Sequence, residues 1–187
     1  MPHRFVIAVV LTVLILPTIL RAQEIVPRAF THGTWSFQTY AGYTAEFAPD
    51  DNIKIASGTV GVGYYVWDNI ALNLELPLSR VDQPGDDVSA IGLNLLLRHH
   101  LFTRDRFSLY ADVAGGLFEG DGRVPESGTD FNFTLQTGLG VTYRLWDNVH
   151  LMAGARYFHL SNARLEGSER NPNLNAVGGY IGLLFLF

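Results

Sequence analysis

The sequence predicts an all-β fold, an eight-stranded antiparallel transmembrane β-barrel behind a cleaved signal peptide, and three observations carry that prediction. Hydrophobic residues make up 48% of the 187-residue chain, with 12% aromatics and 19 glycines, yet after residue 22 no apolar run is long enough for a membrane helix. Apolar and polar residues instead alternate with a period of two through eight successive segments. The polar side of that alternation is not rich in Lys and Glu, as that of a soluble sandwich would be. It is built from Gly, Asn, Gln and Thr with single charges of both signs, which suits a narrow, packed polar interior with the apolar side turned to lipid.

The amino-terminal element comes first. Residues 1–22 carry His3 and Arg4, an almost unbroken apolar run from Phe5 to Leu20, and then Arg21 and Ala22. This pattern predicts a signal peptide cleaved after Ala22, with Leu20 at the −3 position where a small residue is commoner. Residues 23–187 then form one exported barrel domain. The chain has no cysteine, which excludes disulfides, thiol chemistry and Cys-type metal sites. A net charge of −5 without a basic tract excludes nucleic acid as a partner.

The strands follow in order. The first, 33–47, alternates Trp35, Phe37, Thr39, Ala41 and Tyr43 against Ser36, Gln38, Tyr40 and Gly42. The second, 53–66, sets Val60, Val62, Tyr64 and Val66 against glycines. In the third, 70 to about 80, Leu72, Leu74, Leu76 and Leu78 oppose Asn73 and Glu75. In the fourth, 88–101, Ile91, Leu93, Leu95 and Leu97 oppose Asn94 and Arg98. The fifth, 107–118, sets Leu109, Ala111, Val113 and Leu117 against Tyr110, Asp112 and Gly116. The sixth is the clearest, with Phe131, Phe133, Leu135, Leu139, Val141 and Tyr143 on one side and Asn132, Thr134, Gln136, Gly138, Gly140 and Thr142 on the other.

Connectors alternate in length. Trp67-Asp68-Asn69, Thr103-Arg104-Asp105-Arg106 and Trp146-Asp147-Asn148 are tight turns, and residues 61–69 and 140–148 look like one hairpin repeated. The connectors around 48–52, 81–87, 119–128 and 163–172 are mostly longer and richer in Gly, Pro and charge. Short turns on the periplasmic side and longer loops outside are the outer-membrane pattern, with Trp and Tyr beside the turns at the lipid interface. The last strand ends at Phe187. A terminal aromatic there resembles the signature that bacterial outer-membrane proteins present to the barrel assembly machinery, which implies that partner.

The seventh strand carries the candidate chemistry. Val149, Leu151, Ala153, Ala155 and Tyr157 share their face with His159 and Ser161, while His150, Gly154 and Arg156 lie on the other. A base and a hydroxyl nucleophile two residues apart therefore face lipid at the outer end of the strand. In the eighth strand Asn175 faces out with Val177, Gly179, Ile181, Leu183, Phe185 and Phe187, so His159, Ser161 and Asn175 converge at the outer lipid boundary. The other histidines read blandly. His99 and His100 face opposite ways, His32 and His150 lack sequence partners, and no metal spacing occurs. Asp50-Asp51 and Asp86-Asp87 read as solvated loop charge.

The stretch His159-Leu160-Ser161-Asn162-Ala163, followed by Asn171-Pro172-Asn173-Leu174-Asn175 at the start of the final strand, resembles the lipid A 3-O-deacylase family of outer-membrane barrels. That resemblance implies hydrolysis of the ester joining a 3-hydroxyacyl chain to the lipid A disaccharide, with no cofactor and with lipopolysaccharide as the partner in the outer membrane. It implies Ser161 as nucleophile and His159 as general base, with Asn171 and Asn162 as candidates at the oxyanion or substrate. Two positions depart from the family. Asn175 stands where the family carries a Glu that orients the base, leaving Glu166 and Glu169 as alternative acids, and Arg164 stands where a Gly is common. The competing reading is a non-enzymatic barrel with a structural or adhesive role, and either reading leaves a homodimer open.

Overall fold

The computed structural model describes residues 28–47 and 52–187; the expected signal peptide and residues 48–51 of the first loop lie outside them. Eight strands run in chain order: β1 (Trp35–Glu46), β2 (Lys54–Trp67), β3 (Ile70–Asp82), β4 (Val88–Arg104), β5 (Phe107–Val124), β6 (Thr129–Trp146), β7 (Val149–Ser161) and β8 (Leu174–Leu186). Each pairs antiparallel with its sequence neighbours, and β8 pairs with β1, so the sheet closes into a barrel with no free edge. Closure meets every strand's hydrogen bonds within the sheet, a requirement in lipid, where water cannot supply them.

The tight turns fall where the sequence places them, at 68–69, 105–106 and 147–148. Asn69 and Asp105 take left-handed backbone angles, φ 66° and 53°, that short polar side chains tolerate in two-residue hairpin loops. A register shift precedes each of these turns, at Tyr65/Trp67, His100/Phe102 and Arg144/Trp146. Such bulges bend the strand ends into the turn. One connector departs from expectation. The polar stretch 119–128 is mostly strand, because β5 continues to Val124 and β6 begins at Thr129, with Val124 and Thr129 paired beyond a bulge. Its glycines and charges suit a hairpin projecting past the lipid into water, where both faces are wet and the alternation that marks a membrane strand disappears.

The alternation sorts as predicted. Leu72, Leu74, Leu78, Leu95, Leu139 and Ile181 are exposed on the outside, while Asn73, Glu75, Asn94, Arg98 and Asp112 are buried inside. Trp35, Trp67 and Trp146 stand exposed beside the tight turns, as an interfacial aromatic belt requires.

Inside, charges of opposite sign cancel in one network. Arg98 grips Asp112 with two hydrogen bonds of 2.9 Å and donates to Gln38, which in turn donates to Glu75. Arg156 reaches Asp112 at 2.7 Å and Glu75 at 3.4 Å, and donates to the Tyr40 hydroxyl. Apolar groups close the interior at both ends. At the turn end Phe30, carried by a short 3-10 helix (Arg28–Phe30), inserts among Tyr65, Ala71, Tyr110, Met152 and Leu184 and stacks on His100 at 3.7 Å. At the loop end Ile53, Val81, Val88, Phe118, Val124, Leu160 and Leu174 pack together. These caps and the charged layer between them take up most of the interior and leave a cavity of about 70 Å³ beside Arg156.

Candidate active site on the outer face of β7 and β8

The end of β7 is positioned by the parity of the strand. His150, Met152, Arg156 and Leu160 are buried in the barrel, so Tyr157, His159 and Ser161 face outward and are partly exposed. On β8 the buried Leu174 and Ala176 flank Asn175 and turn it outward as well. The β7/β8 register places His159 directly opposite Asn175 and Tyr157 opposite Val177. On the other side of β7, Leu135 lies opposite His159 and Phe133 opposite Ser161. The polar groups thus sit within an apolar surface.

Cross-strand pairing brings their side chains together. His159 Nδ1 lies 2.8 Å from Asn175 Oδ1, and because an amide oxygen only accepts, Nδ1 carries the proton. Nε2 is then the basic nitrogen. The Tyr157 hydroxyl donates to the same Asn175 oxygen at 2.6 Å, a partnership absent from the sequence reading. Ser161 shares the face of His159, two residues on, but no hydrogen bond joins them among the described residues.

The β7–β8 loop forms the rim. The backbone N–H of Asn162 donates to Asn171 Oδ1 at 2.8 Å, which fixes the Asn171 carboxamide and leaves its Nδ2 without a partner among the described residues. Asn162, expected beside Asn171 at the substrate, turns inward instead. Its side chain is buried, donating to the Arg170 carbonyl at 2.7 Å and accepting from the Arg164 N–H at 2.9 Å. Arg164 follows with φ 63°, a left-handed conformation that glycine adopts more freely than arginine. Of the two alternative acids, Glu166 is exposed and paired with Arg170 at 3.3 Å, and Glu169 is exposed; the group at the His159 ring is Asn175. No cluster of three or more His, Asp and Glu able to hold a metal ion occurs among the described residues.

A family model described as lipid A 3-O-deacylase (PagL) matches residues 39–183, which include every strand in whole or in part and the entire site. The chain belongs to the lipid A 3-O-deacylase family. Membership carries lipid A deacylation as the activity and the outer membrane as the location. No curated protein sequence matches the chain. Among solved structures, Neisserial surface protein A is similar over 83% of this chain and all of its own, at 18% identity and TM-score 0.61. The outer membrane protein OprG from Pseudomonas aeruginosa matches over 85% of this chain and 98% of its own, at 14% identity and TM-score 0.57. The outer membrane enzyme PagL matches over 79% and 98%, at 16% identity and TM-score 0.56. At such identities these likenesses show the barrel fold, and the family assignment rests on the sequence match.

Proposed function

We propose that the protein removes the ester-linked 3-hydroxyacyl chain at the 3-position of lipid A, with Ser161 as nucleophile, His159 as general base and Asn175 orienting the imidazole. The observation that carries this reading is the 2.8 Å contact between His159 Nδ1 and Asn175 Oδ1 on the outward face, two residues from Ser161. That contact fixes the tautomer whose Nε2 can take a proton from the serine.

The chemistry follows from those roles. As Ser161 Oγ attacks the ester carbonyl carbon, its proton passes to His159 Nε2, and the carbonyl oxygen becomes an oxyanion. Asn171 Nδ2, aimed by the bond from the Asn162 N–H, is the donor for that charge. The imidazolium then protonates the departing 3-oxygen of the sugar, leaving an acyl-serine. Water, deprotonated by the same nitrogen, hydrolyses it to the free 3-hydroxy fatty acid.

Asn175 serves as the amide does in Cys-His-Asn proteases, aligning the ring without a countercharge for the imidazolium. The open Ser161–His159 contact fits a site that closes on substrate, since catalytic hydrogen bonds are often long before substrate binds. Position matters equally. An acylated disaccharide anchored in the outer leaflet keeps its chains in lipid and its esters at the headgroup boundary, where a lateral site at the loop end of β7 meets them. Polar groups there cost on the order of 1 kcal/mol or less against lipid, whereas a charged side chain at mid-depth costs several times more.

The test is mass spectrometry of lipid A incubated with the refolded protein in detergent, beside a Ser161→Ala variant. Loss of a single 3-hydroxyacyl chain with the parent only is the expected result. Intact lipid A in both samples would sink the proposal and favour a non-enzymatic barrel.

A further inference from the structure

We infer that Tyr157 is a positioning residue for this reaction: its hydroxyl holds the Asn175 carboxamide in the orientation that leaves His159 Nε2 as the base. The inference rests on the reading of Ser161, His159 and Asn175 as the reacting groups.

The need for such a device comes from the chemistry of an amide. A carboxylate offers an acceptor at either end, so a Glu beside the ring always draws the proton to Nδ1. An Asn has two unlike ends. With Oδ1 toward the ring, Nδ1 carries the proton and Nε2 keeps its lone pair toward Ser161. With the amide turned over, Nδ2–H donates to Nδ1, the ring proton moves to Nε2, and no base faces the serine. The two rotamers occupy almost the same volume, so packing alone discriminates weakly between them.

Tyr157 supplies the discrimination. Its hydroxyl lies 2.6 Å from Asn175 Oδ1, the same atom that His159 Nδ1 meets at 2.8 Å. A phenol is a good donor and a poor acceptor, because its oxygen lone pair is drawn into the ring, so it selects the oxygen end of the amide. The strand register makes the reach natural. Tyr157 is paired with Val177, and Asn175 is the diagonal neighbour on β8, a separation that a tyrosine spans. Phe47 packs beside the Tyr157 ring at 6.2 Å between centroids, limiting its alternatives. The bond also gives the outward-facing Tyr157 hydroxyl a fixed partner while it orients Asn175.

The experiment compares Tyr157→Phe, Asn175→Glu and the double variant with the parent in detergent micelles. It measures kcat and KM for lipid A deacylation and the nitrogen-15 NMR shifts of the His159 ring, assigned with a His159→Gln variant. Loss of one net hydrogen bond predicts that Tyr157→Phe lowers kcat roughly 3- to 10-fold with KM unchanged. The His159 ring should pass from the Nδ1–H tautomer to a mixture of both. Beside Asn175→Glu the same substitution should change kcat by less than about twofold, since a carboxylate cannot present a wrong end. An equal loss in both backgrounds, or a ring that stays in the Nδ1–H form in Tyr157→Phe, overturns the role of Tyr157. Hydrolysis that persists in Ser161→Ala, or is absent from the parent and from Asn175→Glu, instead overturns the reading of the site, and the NMR shifts still decide for or against Tyr157.

Discussion

The barrel holds two clusters of polar side chains, one at its centre and one on its outer face, and they differ in what each leaves free. At the centre Arg98, Arg156, Glu75 and Asp112 are buried and tied to one another; of the two guanidinium groups only Arg156 Nε lacks a partner among the described residues. On the outer face His159 Nε2, the Ser161 hydroxyl and Asn171 Nδ2 have no partner among the described residues, while the groups behind them are bonded. Partnered charge in a closed interior stabilises. Free hydrogen-bonding capacity on a fixed frame is what a reaction needs, and it stands on the face a membrane lipid can reach.

The largest expected effect tests the central cluster. Asp112→Ala removes the carboxylate shared by two buried arginines and leaves both positive charges short of a partner, a loss of about 3 to 5 kcal/mol. Urea unfolding in detergent, followed by tryptophan fluorescence, should show a correspondingly earlier transition. The fraction that remains folded should deacylate lipid A at the parent rate. A variant with parent stability would mean that the central charges are only loosely held.

Asn171→Ala reverses the pattern. Removing one oxyanion donor typically costs about 2.7 to 4 kcal/mol of transition-state stabilisation, or roughly 10²- to 10³-fold in kcat. The same substitution removes one hydrogen bond from a loop, roughly 0.5 to 1.5 kcal/mol of stability. Steady-state kinetics beside the unfolding curve separates the two, and a fall in stability larger than the fall in rate would make Asn171 a structural residue.

The residues that sequence reading placed correctly are those whose position depends on parity alone. Alternation sends His159, Ser161 and Asn175 outward and Glu75, Arg98, Asp112 and Arg156 inward, because a strand admits only two faces. The convergence of His159 with Asn175 is legible as well, but the diagonal contact of Tyr157 is not. Tyr157 meets Asn175 only because β7 and β8 are offset so that Tyr157 pairs with Val177, an offset that alternation within either strand does not specify. Phe30 was missed for another reason. A single aromatic ahead of the first strand has no periodic neighbours, although it ends up among the most buried side chains. The hairpin formed by the ends of β5 and β6 reads as loop because backbone pairing outside the membrane needs no apolar face.

Asn162 is buried like a central residue yet adjoins the proposed reacting groups, and its removal has an effect of intermediate size. Its side chain bonds the Arg170 carbonyl and the Arg164 N–H. Asn162→Ala should cost roughly 1 to 3 kcal/mol of stability through the groups left unpaired. It should also slow the reaction, because the backbone N–H that aims Asn171 shifts with the loop. Raising the substrate concentration should not restore the rate. If KM alone changes, Asn162 belongs to the binding surface and the loop keeps its shape without it.

The smallest expected effect concerns Glu166, one of the two loop carboxylates, with Glu169, that sequence alone leaves available as the orienting acid. It sits on the loop at 3.3 Å from Arg170, four residues on, with both side chains more than half exposed. An exposed ion pair of this kind contributes about 0 to 1 kcal/mol, because water and salt screen the charges and two long side chains must be held still. Glu166→Gln should therefore leave the unfolding transition and kcat close to those of the parent. The contrast with Asn175 is then decisive: Asn175→Ala removes the acceptor for His159 Nδ1 and should depress kcat, while Glu166→Gln should not. A large rate loss in Glu166→Gln would mean that the loop swings an acid onto the ring during turnover, and Asn175 would give up its place as the orienting group.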